Sequence, residues 1–262
     1  LLVAQNSEEF KALEKIKQQA SDNDVSDLKW LSKEKAAALE PLLKAEAVLS
    51  SPSTGIIDVH QYMQALLTDL EASGGMFVGQ SAFISSEVKG NLHNVKIESQ
   101  GQVLTLACRF LINAGGLHST KLAGAIEALD NEHIPELYLC RGHYFSYQGK
   151  SPFSRLIYPV PSENGLGIHA SLDTGGQLKF GPDTEYISEL NYGIDDNLKK
   201  KFFYEVARYF PTLREERLQP AYAGIRPKLQ GPKDGFKDFD IQCEGVHQVK
   251  GLVNLFGIDS PG

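Results

Sequence analysis

The stretch Ile112-Asn113-Ala114-Gly115-Gly116-Leu117 constrains the fold more than any other part of the sequence. It ends a continuous apolar run that starts at Arg109, and a segment of helical pattern follows it from about Ser119. A buried strand that passes through a tight glycine turn into a helix is typical of the edge of an α/β layer. Small residues at the carboxyl end of such a strand let a cofactor approach backbone N–H groups. On these residues alone, however, a plain strand-to-helix turn is the better explanation.

The composition of the 262 residues is that of an ordinary globular protein, with 42% hydrophobic and 23% charged residues. It excludes disordered, collagen-like and coiled-coil proteins. The net charge of -7 and the lack of a basic run argue against nucleic acid as a partner. No apolar stretch approaches the roughly 20 residues of a membrane-spanning helix. The widely spaced Cys108, Cys140 and Cys243 favour a reducing, cytoplasmic location, either free or peripheral at a membrane.

Apolar periodicity and capping residues predict four longer helices. The first begins at about Ser7 as its N-cap, the second spans about Ser32–Leu39, and the last spans about Asp196–Phe210. The third follows the cap residue Asp58, and its apolar stripe is expected to form one buried face. That stripe consists of Val59, Tyr62, Met63, Leu66, Leu67 and Leu70.

Alternating patterns and turn residues predict two groups of strands, which helices separate. The first group contains a short strand at Met76–Val78 and a hairpin around Gly90-Asn91. Pro and Gly turns separate the members of the second group, which predicts an antiparallel sheet. These members are Tyr138–Tyr147, Leu156–Val160, Leu166–Ser171 and Leu178–Phe180. A last strand is expected at Leu252–Ile258, and the order of elements predicts two intertwined domains.

Arg226 and His169 are the side chains best suited to binding and catalysis. Arg226 lies between Gly and Pro on a stiff backbone, and its planar guanidinium suits a carboxylate, although most arginines form surface salt bridges. His169 lies on an alternating strand, where a neutral imidazole could take a proton from a substrate hydroxyl. A hydrogen-bonded structural histidine explains this position at least as well. Tyr158 either directs its phenol into a pocket or packs.

Other motifs argue against several common classes of protein. The stretch Gly165–Ala170 fits G-x-G-x-x-A, but turns flank it on both sides, so it is not a dinucleotide fingerprint. The histidines and cysteines show no paired spacing, which predicts no metal site. The lack of GxSxG and Walker motifs argues against an α/β-hydrolase and a P-loop NTPase.

Eight motifs, taken in order, resemble the D-amino-acid-oxidase-like FAD-dependent oxidoreductases, and most of all their L-2-hydroxyglutarate dehydrogenase/oxidase branch. The resemblance covers nearly the whole chain. The motifs are 53–58, 112–117, 141–145, 156–161, 165–170, 180–185, 223–228 and 256–262. Each is weak alone, but eight in order are specific for the superfamily and less specific for the substrate.

The resemblance implies an α/β (α+β) fold in which two domains are interleaved. An incomplete FAD/NAD(P)-binding-like α/β layer would comprise residues 53–135 and 223–262. A substrate domain on an antiparallel or mixed sheet would comprise residues 1–52 and 136–222. Family members begin with a strand, a GxGxxG turn and an acidic residue, none of which is in this sequence. Together with a start that lacks Met, this predicts a fragment of a longer protein.

The resemblance also implies FAD as the cofactor and a small carboxylate as the substrate. Arg226 would hold the carboxylate, His169 would be the base, and Tyr158 would complete the catalytic set. The residues expected at FAD are Phe83, Ala114, Gly115, Gly116, Gly257, Ser260 and Gly262. Candidates for a distal carboxylate are Arg141, Arg155 and Lys228.

The expected activity is oxidation of a small 2-hydroxy acid, with L-2-hydroxyglutarate as the best candidate. The electron acceptor is left open. One alternative is a flavoenzyme of the glycine or amino-acid oxidase type. The other is a non-catalytic fragment without bound FAD.

Overall fold

The computed structural model describes residues 1–160 and 167–259 and shows a mixed α/β chain. Its helices are α1 (Ser7–Asp22), α2 (Lys33–Leu39), α3 (Val59–Ala72), α4 (Ser119–Ala123), α5 (Leu198–Ala207) and α6 (Glu244–His247). Its strands are β1 (Leu2–Ala4), β2 (Lys29–Leu31), β3 (Ala47–Ser50), β4 (Ser81–Lys89), β5 (Leu92–Ser99), β6 (Gln102–Cys108), β7 (Leu111–Asn113), β8 (Tyr138–Tyr147), β9 (Tyr158–Pro159), β10 (Ala170–Leu172), β11 (Leu178–Phe180), β12 (Glu185–Ile187), β13 (Leu218–Lys228), β14 (Asp240–Gln242) and β15 (Leu252–Phe256).

The chain divides into two compact units that alternate along the sequence. The first unit contains residues 1–64, 141–185 and 192–224. The second unit contains residues 65–140, 186–191 and 225–262. Of the elements, α3, β8, β12 and β13 continue from one unit into the other.

Two sheets supply the framework of the first unit. The smaller one has the order β2-β3-β1-β9, and β9 runs parallel to β1. The larger one has the order β10-β11-β8-β12, with β13 beside β8, and β10, β11 and β8 are antiparallel as predicted. The inward face of these three strands is buried, and α5 packs on it, with the ring of Phe145 4.5 Å from that of Phe202. The other face of the sheet is therefore left for polar side chains.

The second unit combines a parallel strand pair with a separate hairpin sheet. Strands β7 and β15 are parallel, with β14 antiparallel to β15. The predicted hairpin around Gly90-Asn91 is present as β4 and β5, and β6 extends it to three strands. The strand before the glycine turn is shorter and less buried than expected, since β7 covers only three residues and Ile112 is 62% exposed.

Local capping explains where the helices begin. The predicted cap at Ser7 is wrong, because the side chain of Asn6 accepts the N–H groups of Glu8 and Glu9 and starts α1 one residue earlier. The cap at Asp58 is confirmed, since its carboxylate accepts the N–H of Gln61 at 3.0 Å. Asn and Ser are about equally good N-cap residues, so the residue type alone does not decide between the neighbours Asn6 and Ser7 as the cap of α1.

The largest departure from the predicted structure is the apolar face of α3. It was expected to be buried, but no residue of α3 is buried, and five of its six large apolar side chains are from 43% to 61% exposed. The predicted strand at Met76–Val78 is also wrong: these residues are exposed and pair with no described strand. Within the described residues, no helix combines the length and apolar character needed to cross a membrane.

A buried hydrogen bond between His143 and Asp183 lies inside the first unit. The backbone N–H of His143 lies 2.9 Å and its Nδ1 2.8 Å from Asp183 Oδ1, and Lys201 Nζ donates to Oδ2 at 2.8 Å. The side chains of His143 and Asp183 are 0% and 3% exposed. Burial alone would raise the pKa of the Asp183 carboxyl, but the hydrogen bonds from Lys201 and His143 hold this pKa below its usual value.

Replacing Asp183 by asparagine should lower the free energy of unfolding by about 2–4 kcal/mol at pH 7, because the substitution removes the buried negative charge that accepts hydrogen bonds from His143 and Lys201. A carboxyl whose pKa is depressed by folding contributes stability above its unfolded pKa, near pH 4. That contribution is lost as the pH falls through the folded-state pKa, so the difference between the two proteins should shrink in acid. Chemical denaturation at several pH values measures it, with the exposed Asp196→Asn as control. Equal stability of both variants at pH 7 would contradict this account.

Candidate active site

His169 and Tyr158 lie together in the first unit. The C=O of His169 accepts the N–H of Gly181 at 3.0 Å, so the pairing of β10 with β11 extends back to this residue. The ring of Tyr158, on β9, meets the imidazole edge-on, with centroids 4.2 Å apart. Both side chains are half-buried, and burial raises the pKa of the Tyr158 phenol, so it stays protonated at neutral pH. Two of the three predicted catalytic side chains are therefore neighbours.

Arg226 lies in the part of β13 that belongs to the second unit. Its side chain is half-buried, and no described residue forms a hydrogen bond or an ion pair with its guanidinium. A half-buried guanidinium whose donors no described residue uses is available to bind an anion. The common alternative, a surface salt bridge, is thus not found for this arginine among the described residues.

The glycine turn after β7 lies at the carboxyl ends of two parallel strands. Asn113 and Asn254 are register partners, and Asn113 Nδ2 donates to Asn254 Oδ1 at 3.0 Å and to the C=O of Ser119 at 2.8 Å. Asn113 Oδ1 also accepts the N–H of Gly115 at 3.2 Å. A Cβ on Gly115 would lie 2.5 Å from Leu122 Cδ1 and 3.2 Å from the backbone N of Ser119, so a larger residue here would force its neighbours to shift. The turn is therefore fixed from inside the unit.

The outer part of this turn is open. Gly116 has a φ of +54°, and a Cβ built on it would meet nothing within 4 Å. Two buried polar atoms near it, Ser119 Oγ and Asn254 Nδ2, have no hydrogen-bond partner in the described part of the chain. A ligand can therefore approach the backbone at Gly116 without meeting a neighbouring side chain.

The three cations considered for a distal carboxylate are already paired. Arg141 donates to Glu185 at 3.1 and 2.8 Å, Arg155 Nη1 lies 3.3 Å from Glu40, and Lys228 Nζ lies 2.7 Å from Asp259. Because each of these cations already forms an ion pair, they are weaker candidates for binding a distal carboxylate than the sequence suggested.

A comparison with known protein families matches residues 1–262 to the model described as FAD dependent oxidoreductase. This chain belongs to the FAD dependent oxidoreductase family. The predicted resemblance, the mixed α/β fold class and the FAD-dependent family are thereby confirmed.

Two similar proteins show how much of a family member the chain represents. It is 34% identical, over 302 residues, to the mitochondrial L-2-hydroxyglutarate dehydrogenase of Arabidopsis thaliana. The alignment covers 100% of this chain and 62% of that protein. It is 28% identical to a glycerol 3-phosphate dehydrogenase of Caloramator mitchellensis, of which it covers 52%. The chain thus spans between half and two thirds of these relatives.

Solved structures of the family share the fold. The FAD-bound L-α-glycerophosphate oxidase of Mycoplasma pneumoniae superposes with a TM-score of 0.84 at 22% identity, over 100% of this chain and 67% of that one. Glycine oxidase of Geobacillus kaustophilus superposes with a TM-score of 0.74 at 17% identity, over 98% of this chain and 64% of that one. At these identities the likeness establishes the fold and carries no information on substrate.

The open turn fits the cofactor that gives this family its name. The carboxyl ends of parallel strands are where α/β sheets bind nucleotides, and Gly116 leaves its backbone accessible there. The contact of Ala114, Gly115 and Gly116 with FAD stays a prediction, which this geometry allows. Among residues 1–160 and 167–259, no group of three His, Cys, Asp or Glu side chains could hold a metal ion.

The other predicted cofactor residues differ in what surrounds them. Phe83 is half-buried, and its side chain packs on the apolar cluster of the second unit. A Cβ on Gly257 would lie 2.6 Å from Leu229, so packing alone accounts for glycine there. Ser260 and Gly262 lie outside the described residues. The role of all four at FAD stays a prediction.

One residue of interest was missed in the sequence. Lys179 lies in the middle of β11 between Leu178 and Phe180, both of which are buried. In an alternating strand, a lysine between two core residues must point to the opposite face of the sheet. That pattern could have marked Lys179 as a cation on the open face.

Proposed function

We propose that the protein to which this chain belongs oxidises the hydroxyl carbon of a small 2-hydroxy acid, with L-2-hydroxyglutarate as the best candidate. The observation that carries the proposal is Arg226, a half-buried guanidinium without a partner among the described residues. The similarity to the Arabidopsis thaliana L-2-hydroxyglutarate dehydrogenase across the whole chain supports the substrate.

Arg226 serves in this proposal to bind and orient the substrate. Its fork of N–H donors matches a carboxylate bidentately, which fixes the direction of the neighbouring carbon as well as its position. Pro227 restricts the backbone beside it, so little conformational freedom is lost on binding. Holding the reacting carbon in one orientation can contribute about 7–11 kcal/mol in the best cases.

His169 serves as the base that removes the hydroxyl proton. A ring nitrogen of the neutral imidazole accepts the proton as the C–O bond gains double-bond character. Tyr158 packs against the ring edge-on and restricts its orientation. When bound, FAD supplies the two-electron oxidant for the carbon–hydrogen bond.

The test is anaerobic reduction of the flavin in the full-length protein. L-2-hydroxyglutarate should bleach the visible flavin absorption within the turnover time, whereas the D enantiomer and glycine should not. Bleaching by glycine but not by the hydroxy acid would instead indicate an amino-acid oxidase. A full-length protein that holds no flavin would reject both activities.

A further inference from the structure

The first unit contains a cavity of about 770 Å³ on the open face of its larger sheet. Ser171 on β10, Lys179 on β11 and Tyr222 on β13 line it, together with residues 56–60, which lead into the first turn of α3. Ser171 and Lys179 are register partners, so their side chains leave the sheet side by side. The cavity therefore presents a cation and a hydroxyl, together with the carboxylates of Asp58 and Asp173.

The N–H groups of the Lys179 ammonium are available to a ligand. Its side chain is 32% exposed, and the nearest carboxylate, Asp173 Oδ2, is 3.9 Å away, beyond hydrogen-bonding distance. Asp173 Oδ1 is already held by the N–H groups of Gly175 and Gln177 at 2.9 Å each. The ammonium is thus attracted by Asp173 but donates no hydrogen bond to any described residue.

Two stacked tyrosines hold this ammonium in place. Lys179 Nζ lies 5.3 Å from the centre of the Tyr222 ring, within the range of a cation–π interaction. Tyr222 in turn stacks on Tyr144 at 4.5 Å with an interplanar angle of 16°. A lysine that rests on a rigid aromatic pair is positioned before any ligand arrives, which lowers the entropic cost of binding.

His169 precedes Ser171 on the same strand pair and is not among the residues that line the cavity. The segment that leads into β10 places His169 two residues before Ser171, so both side chains point to one face. Lys179 is the diagonal neighbour of His169 across the strand pair, and such positions are about 7–8 Å apart. This spacing suits a short chain that carries a reacting hydroxyl at one end and an anion at the other.

We propose that Lys179, with Ser171 and Tyr222, binds the second carboxylate of the substrate, the one remote from the reacting carbon. The inference rests on the proposed function and narrows its substrate class to dicarboxylates. A remote anion paired with Lys179 adds binding energy without taking part in the reaction.

The test measures binding of non-reacting acids to the flavin-loaded full-length protein by calorimetry. Glutarate has two carboxylates, butyrate has one, and 4-phosphonobutyrate replaces the second by a phosphonate. Lys179→Gln should weaken glutarate binding about 10- to 100-fold and leave butyrate binding within about twofold. Lys179→Arg should retain most of the affinity. The matched control is Lys200→Gln, which removes an exposed charge of the same unit.

Kinetics provide the second readout. Lys179→Gln should raise KM for L-2-hydroxyglutarate with little change in kcat, and leave L-2-hydroxybutyrate unaffected. Equal glutarate binding by wild type and Lys179→Gln would overturn the inference, as would a loss confined to 4-phosphonobutyrate.

The two proposals fail separately. If the wild-type protein oxidises both hydroxy acids equally well, the proposed function stands and the role of Lys179 fails. If it oxidises neither acid but binds glutarate through Lys179, the binding site stands and the proposed function fails.

Discussion

Replacing Arg226 by alanine is expected to lower kcat/KM for the hydroxy acid about 100- to 1,000-fold, mostly through KM. The guanidinium is half-buried and has no partner among the described residues, so its full donor capacity is available to the substrate carboxylate. Losing a desolvated, charge-assisted contact of this kind typically costs about 2–5 kcal/mol. Steady-state kinetics of the flavin-loaded full-length protein measure the effect.

Two further variants separate binding geometry from charge. Arg226→Lys keeps the charge but loses the planar fork, so we expect an intermediate KM. Arg109→Ala removes an exposed arginine of the same unit and should leave the kinetics unchanged. Unaltered kinetics in Arg226→Ala, with normal folding, would remove this residue from the substrate site.

Local signals in the sequence predicted most of the elements. The strands β8 and β11 have the predicted bounds, and the cap of α3 was identified from a single polar residue. These features depend on neighbours within a few residues, so periodicity and capping chemistry suffice to find them. The FAD-dependent family could likewise be predicted, because its motifs keep their order along the chain.

Features that depend on distant parts of the chain were harder to predict. The apolar stripe of α3 has helical spacing, but periodicity states only that one face is apolar and not that another element covers it. The sequence around Lys228 gives no sign of a partner for its ammonium, yet Asp259, 31 residues later, forms an ion pair with it. By contrast, only the structure shows that no described residue pairs with Arg226, because the partner of an arginine can come from any part of the chain.

Replacing His169 by alanine should lower kcat for the 2-hydroxy acid by about 100- to 10,000-fold, the usual contribution of a general base. KM should change much less, because the carboxylate contact with Arg226 is retained. Tyr158→Phe keeps the ring that packs on His169 and removes only the hydroxyl, so it tests whether the phenol belongs to the catalytic set. The control is Tyr204→Phe, which removes the hydroxyl of an exposed tyrosine of the same unit.

Added imidazole distinguishes a catalytic from a structural role, since a small base that enters the space left by the ring should restore part of kcat in His169→Ala. The comparison of substrates is equally informative. An amino acid is oxidised with its amino group in the neutral form, so this oxidation needs no strong base. A hydroxy acid, in contrast, must lose its hydroxyl proton as the carbon is oxidised. A kcat for the hydroxy acid that is unchanged in His169→Ala would therefore exclude this base and favour the amino-acid oxidase alternative.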